Sequence, residues 1–294
     1  MSKLRVVPAL LLIGLAALLA ACGGSDSGSS SSAAADTTAA SSAAADTCAK
    51  DQLALKNAGQ LTVGTDKPAY PPYFEDDDPS NGKGFESAVA YAIAKQLGFA
   101  PDEVKWVVVP FDSSYAPGDK TFDFDVNQIS ITDARQKVVD FSTPYYTAPQ
   151  AIIVAKGSPL VGKTTLADFQ SAVIGVQVGT TSLDATTSLI KPTAEPKVFN
   201  NSNDVVAAFK QKQDDAIVTD LPTALYLTAA VLDNSVVAGQ FNAPGGDQWG
   251  ALLQKGSELT PCVNKALDAM KADGTLDNLT MTWMAEQAGA PELK

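Results

Sequence analysis

Between Gln128 and Tyr146 the chain reads Gln-Ile-Ser-Ile-Thr-Asp-Ala-Arg-Gln-Lys-Val-Val-Asp-Phe-Ser-Thr-Pro-Tyr-Tyr, and no other stretch constrains the fold as much. Ile129 and Ile131 alternate with Ser130 and Thr132, the period of a strand end with one apolar face. Thr132 or Asp133 can then cap a short helix that carries Arg135 on its first turn. Asp140-Phe-Ser-Thr-Pro leaves that helix, and Tyr145-Tyr146 leads into an apolar run from Ala151 to Ala155. A lone arginine is usually a solvated surface charge. This one follows a hydroxyl-rich strand end where side chains and free backbone N–H groups can converge. A guanidinium placed there can grip a carboxylate through two parallel hydrogen bonds.

Composition removes most competing chemistries. The 294 residues are enough for two lobes, each with its own core. A formal charge of −12 argues against nucleic acid and against a polybasic membrane surface. The chain has no histidine, which excludes Ser-His-Asp and Cys-His nucleophiles, histidine metal sites and histidine general bases. Its three cysteines have no CxxC spacing, so neither a thiolate metal site nor a cofactor is expected. The balance points to binding, not catalysis.

Residues 1–22 read as an export signal, with Lys3 and Arg5 ahead of a nearly all-apolar run from Val6 to Ala21. That run is shorter than the roughly 20 residues a membrane-spanning helix needs. Residues 23–47 contain only Gly, Ser, Asp, Ala and Thr, which cannot build a core, and read as a flexible tether. Leu19-Ala20-Ala21-Cys22 resembles the lipobox of bacterial lipoproteins, which implies that Cys22 carries a lipid anchor. Cys48 and Cys262 would then be the only thiols left. In an exported chain a disulfide between them is the favoured reading, with two buried free thiols as the alternative.

The ordered part alternates strands and helices. Leu61-Thr-Val-Gly-Thr-Asp66 is a short buried strand, followed by a Pro-rich loop holding Tyr70 and Tyr73. Gly84 to Gly98 has apolar residues at helical spacing and a glycine stop. Val104 to Val109 is the next strand and delivers Phe111. Gly157-Ser-Pro-Leu-Val-Gly162-Lys163-Thr164 fits the GxxxxGK[ST] phosphate loop after a strand. Only a two-turn helix, Leu166 to Ser171, can follow it, so it is read as a loop between strands. Val173 to Ser182 is a buried strand, a Gly turn and a helix start, with the N–H groups of Gly179 to Ser182 free to receive an anion. Asp215-Ala-Ile-Val-Thr-Asp220 is a strand with a carboxylate at its end; Asp220 can also cap the helix from Pro222 to Leu232.

Ile129-Ser-Ile-Thr…Arg135…Val139-Asp-Phe-Ser…Pro144-Tyr, with Gly64-Thr-Asp…Tyr70-Pro-Pro…Gly84-Phe and Gly175-Val…Gly179-Thr-Thr, resembles the extracellular solute-binding proteins of polar amino acid ABC importers. The likeness runs from Leu55 to Ala288. It implies an α/β fold of two lobes joined by a two-strand hinge. One lobe comprises residues 48–145 and 250–294, the other residues 150–244, with crossings near Tyr145–Pro149 and Pro244–Trp249. It further implies an amino acid ligand, an ABC permease as partner, a monomer, and an extracytoplasmic location on a lipid anchor.

Carried over position by position, the resemblance implies ligand contacts from Asp66, Tyr70, Phe111, the Gln128 backbone, Ser130 and Arg135 in the first lobe. Gln177, Thr180, Thr181 and Asp220 follow from the second. Arg135, with N–H groups near Thr181, would hold the α-carboxylate; Asp220 and Ser130 would hold the α-ammonium. The sequence departs from the pattern at Asn127-Gln128, where small residues are usual, at Lys67-Pro-Ala, which adds a residue, and at Asp112 to Lys120. Asp66 and Gln177 lie at the ligand's far end and favour amide or basic side chains. Two other classes fit the same fold: a dehydratase or cell-wall lytic enzyme, with Glu75 or Glu86 as the acid, and a sensor module for a receptor.

Overall fold

The computed structural model describes residues 47–243, 245–284 and 290–294. The expected signal, Cys22 and nearly all of the tether lie outside these residues. Twelve strands are present among them: β1 (Leu61–Thr65), β2 (Val104–Val108), β3 (Phe124–Asp125), β4 (Val139–Phe141), β5 (Tyr146–Ala148), β6 (Gln150–Ala155), β7 (Ile174–Gln177), β8 (Lys197–Phe199), β9 (Ala216–Asp220), β10 (Ser235–Phe241), β11 (Asp247–Trp249) and β12 (Leu252–Gln254).

The first lobe is built on the sheet β2-β1-β3-β12-β4. Its β1 runs parallel to β2 and β3, and β12 runs antiparallel to β3 and β4. The helix Phe85–Gln96 buries Phe85, Val89, Ala90, Ile93 and Ala94, the stripe that its apolar spacing predicts. These side chains share one core with Leu61, Val63, Phe124, Leu267 and Met270. Cys48 and Cys262 form a disulfide with Cα atoms 5.3 Å apart, tying the segment before β1 to the helix Thr260–Ala272.

The second lobe is built on β10-β6-β9-β7-β8. Ile152 and Val154 of β6 join one core with Phe169, Ile174 and Val176, while Ala151 and Ile153 join another with Val205, Ile217 and Leu221. A strand buried on both faces needs an unbroken apolar run, and that is what the sequence supplies. The phosphate-loop pattern ends in a single turn, Leu166–Phe169, and Lys163 pairs with Asp168 at 3.7 Å. It is a loop between strands. The helix expected over Pro222 to Leu232 is α-helical only over Leu221–Tyr226 and widens over Leu227–Val231.

Strands β5 and β11 cross between the lobes as an antiparallel pair, with Tyr146 opposite Trp249 and Ala148 opposite Asp247. Trp249 is fully buried, 4.9 Å from the Tyr146 ring and edge-on to Tyr73 at 5.5 Å. A further crossing departs from the expected boundaries. Residues 290–294 bond to the second lobe: Gln240 N donates to Pro291 O at 2.8 Å, and Lys294 N donates to Thr164 O at 3.0 Å. Leu293 is buried in the second lobe's core. The span 250–294 is therefore not all first lobe.

Candidate ligand-binding site

The carboxyl ends of β1 and β3, with the loops that follow them, meet those of β7 and β9 across a cleft between the lobes. All ten residues proposed as ligand contacts line this one cleft: Asp66, Tyr70, Phe111, Gln128, Ser130, Arg135, Gln177, Thr180, Thr181 and Asp220. Its empty space, mouth included, is about 980 Å³. Asn127, Ser182, Asn201, Ser202, Thr219 and Thr223 line it too. Among the described residues no cluster of three or more His, Cys, Asp or Glu could hold a metal ion.

Arg135 stands on the one-turn helix Asp133–Gln136, capped by Thr132 and not Asp133: Thr132 Oγ1 accepts from Arg135 N at 3.2 Å. The side chain is 7% exposed. Its Nη1 donates to Ser130 O at 2.7 Å, and its Nη2 to Gly179 O across the cleft at 2.9 Å. The rings of Tyr115 and Phe111 face the guanidinium at 4.6 and 5.4 Å from their centroids. Five N–H donors belong to an arginine, so these two bonds leave others for a ligand.

Facing it, Thr180 caps the helix that opens at Thr181, its Oγ1 accepting from Leu183 N at 3.2 Å. Thr181 Oγ1 lies 3.4 Å from Ser130 Oγ. The Tyr115 hydroxyl donates to Gly179 O at 3.2 Å, and Tyr73 and Thr223 hydroxyls meet at 3.0 Å. Tyr70 donates its hydroxyl to Asn203 Oδ1 and packs its ring 5.6 Å from Tyr226. Apart from the Thr180 cap, these contacts join one lobe to the other, so the cleft is in a closed form.

Asp220 makes no side-chain cap to the helix it precedes. Its Oδ1 accepts instead from Gln150 Nε2 at 2.6 Å. Burial, then the nearby Asp247 carboxylate, push the Asp220 carboxyl up to about 8 against the opposing pull of Gln150 and Arg135. Asp66 accepts from Lys67 N at 2.6 Å and Phe111 N at 3.1 Å, so it also fixes the loop beyond β1. Gln177 Oε1 accepts from Ser202 Oγ at 2.7 Å. Asn127 Nδ2 is buried without a partner.

Glu86 lies outside the cleft lining, fully buried at the start of its helix. It accepts from Gln128 N at 2.7 Å, from Gln128 Nε2 and from the Tyr145 hydroxyl. Burial pushes its carboxyl up to about 7. Those bonds hold Gln128 at a φ of 50°, in the left-handed region. Glu75 does not line the cleft either. Neither glutamate named as a possible acid therefore reaches the space a substrate would occupy.

Residues 61–286 match the profile of the bacterial extracellular solute-binding proteins, family 3. The L-cystine-binding protein TcyJ of Escherichia coli K12 is 31% identical over 234 residues, covering 78% of this chain and 84% of that protein. An ancestral arginine-binding protein solved with glutamine superposes with a TM-score of 0.66 at 34% identity, over 76% of this chain and 97% of its own. The ancestral amino acid-binding protein AncCDT-1, described as a precursor of cyclohexadienyl dehydratase, gives 0.63 at 36%, over 76% and 95%.

Proposed function

The chain belongs to family 3 of the bacterial extracellular solute-binding proteins, and from that premise we propose that it captures a polar amino acid, with an amide or basic side chain, for an ABC permease. One observation carries this reading: a buried guanidinium, Arg135, and a half-buried acidic side chain, Asp220, line the same interlobe cleft. That is the charge pattern a zwitterion needs. Arg135 and the N–H groups around Thr181 would take the α-carboxylate, and Asp220 with Ser130 the α-ammonium. A ligand bonded to both lobes favours the closed state, and closure strengthens its bonds by excluding water.

The ligand's far end would meet Asp66, Asn127 and Gln177, between Tyr70 and Phe111. Asp66 would accept, and Asn127, which lines the cleft and whose Nδ2 has no partner, would donate. An amide side chain satisfies both. A purely cationic side chain leaves the Asn127 donor unmet, and an aliphatic one leaves all three residues desolvated. Glutamine and asparagine are therefore preferred over arginine, lysine, ornithine and histidine. Glutamate places a second carboxylate against Asp66 and is disfavoured.

We further propose that Cys22 anchors the mature chain by lipid on the outer side of the cytoplasmic membrane. The long core-free tether supports this, since it would let the binding body reach a permease. Transport is favoured over turnover because Glu75 and Glu86 stand away from the cleft. Isothermal titration of the purified protein with glutamine, asparagine, the four basic amino acids, cystine, glutamate and leucine tests the assignment. Tight binding of glutamate or leucine alone would overturn it, and tight binding of cystine alone would move the ligand to the class of the Escherichia coli relative.

A further inference from the structure

Gln150 opens a strand whose next four residues are Ala, Ile, Ile and Val, and it is fully buried among them. A polar side chain there is costly unless every polar atom finds a partner. Its amide does: Nε2 donates to Asp220 Oδ1 at 2.6 Å and to Asp247 Oδ2 at 2.9 Å, and Oε1 accepts from Ser182 Oγ at 2.6 Å. Two carboxylate partners on one side and a hydroxyl donor on the other fix which end of the amide is which. The three partners come from three places. Asp220 ends β9, Ser182 lies on the first turn of the helix opening at Thr181, and Asp247 begins the returning hinge strand β11, 2% exposed.

We propose that Gln150 is a positioning residue that holds the two poles of the cleft, Asp220 and the Thr181–Ser182 helix start, in fixed relation, and that Asp247 of the hinge acts through it to set the charge with which Asp220 meets a ligand. This rests on Asp220 as the ammonium contact. Two carboxylates sharing one buried amide repel, so the pair resists carrying two negative charges. Glu86 adds a smaller push in the same direction, while Arg135 across the cleft opposes it. Tyr73 and Tyr146 also face Asp220, and burial holds their hydroxyls neutral. Burial and the Asp247 charge thus favour the protonated form of the unliganded Asp220, and an incoming ammonium displaces that proton. Capture releases a proton, and affinity falls as pH drops below about 8.

The test compares full-length wild type, Asp247→Asn and Gln150→Leu. Asparagine at 247 keeps an acceptor for Gln150 but removes the like charge. L-Glutamine and L-arginine are titrated by calorimetry at several pH values, and thermal melts confirm that each variant is folded. Wild-type affinity should fall up to tenfold per pH unit below about 8. Asp247→Asn should shift that fall by about one unit to lower pH, binding roughly tenfold tighter than wild type near pH 6.5. Gln150→Leu should bind at least tenfold more weakly at every pH, because both poles lose their tie. A second arm needs no ligand: carbon-13 NMR titration of the Asp220 carboxyl, identified by its loss in Asp220→Asn. Equal Asp220 midpoints in wild type and Asp247→Asn would overturn the hinge coupling whatever the ligand. A folded Gln150→Leu with wild-type affinity would overturn the positioning role. If wild type binds neither amino acid nor any other on the panel, the ammonium assignment falls, and the NMR midpoints still decide the coupling.

Discussion

Arg135 donates from one guanidinium nitrogen to Ser130 O in its own lobe at 2.7 Å and from the other to Gly179 O in the opposite lobe at 2.9 Å. The residue expected to hold the ligand thus also latches the closed cleft. At Gly179 the lobes leave no room for a side chain: its φ is +69°, and a Cβ there would lie 2.1 Å from the Tyr115 hydroxyl oxygen.

Gly179→Ala should therefore obstruct closure and weaken ligand binding by roughly tenfold or more. Adding Tyr115→Phe removes the atom in the way and should recover part of the loss. The remainder is the left-handed backbone cost, about 1–2 kcal/mol. Calorimetric titration of the single and double variants checks this; equal affinities for the two would show that steric obstruction is not the cause.

Arg135→Ala should cost about 2–5 kcal/mol of binding, or roughly 30-fold to several thousand-fold in affinity, since it leaves a desolvated carboxylate unpaired. Lysine at this position should also bind weakly. One ammonium cannot span Ser130 O and Gly179 O and still offer a planar pair of donors. Wild-type affinity in Arg135→Ala would show that the carboxylate sits elsewhere.

Asp220→Asn separates stability from binding. The Asp220 carboxyl rises from 3.8 to about 8 in the unliganded fold. Between those values the folded state binds more protons than the unfolded one, so stability declines as pH rises through the window. Glu86 contributes in the same sense between 4.5 and about 7. Wild type should melt at a higher temperature near pH 5 than near pH 8. Asparagine keeps an acceptor for Gln150, so the variant should show a shallower decline and melt above wild type near pH 8, yet fail to bind. A variant less stable than wild type at pH 8 would contradict the sign.

Replacing both Cys48 and Cys262 by serine should lower stability by about 3–5 kcal/mol on the chain-entropy account, because the bond closes a loop of 214 residues. Urea unfolding of the variant against wild type measures it, and equal midpoints would mean the bridge constrains little. The ligand affinity should change far less, since both cysteines lie in one lobe and away from the cleft lining.

Cys22→Ser should leave an unprocessed precursor in cells, detected by intact mass. Normal maturation of that variant would remove the lipid anchor from the proposal.

Much of the fold is written in short-range pattern. The apolar run of β6 and the glycine stop after Gln96 are local, and each produced the element it implied. The alternation through Ile129 and Ile131 did not, since Ser130 makes only an isolated bridge to Trp249 and is buried beside Ile129. The ten expected contacts lie at or beyond strand ends, where a motif in the sequence fixes position in space. Gln150 was not legible in this way. Its partners are 32, 70 and 97 residues away, and a single polar residue at the head of an apolar strand gives no hint of which groups it will meet. Asn127 was visible as a departure, but its unpartnered nitrogen emerges only once its neighbours are in place. The return of residues 290–294 to the second lobe was hidden for a related reason. Leu293 is one apolar residue in a short tail, and its burial depends on Gly239, where a Cβ would come within 2.5 Å of it.

That return has a geometric corollary. Among the described residues the chain passes from the first lobe to the second through β5 and back through β11, and residues 290–294 lie on the second lobe again. Cys48 therefore sits on one lobe and Lys294 on the other. A change in the angle between the lobes moves those two points relative to each other. A pair of labels, one beside Cys48 and one at Lys294, would report closure with no probe inside the cleft to disturb what binds there.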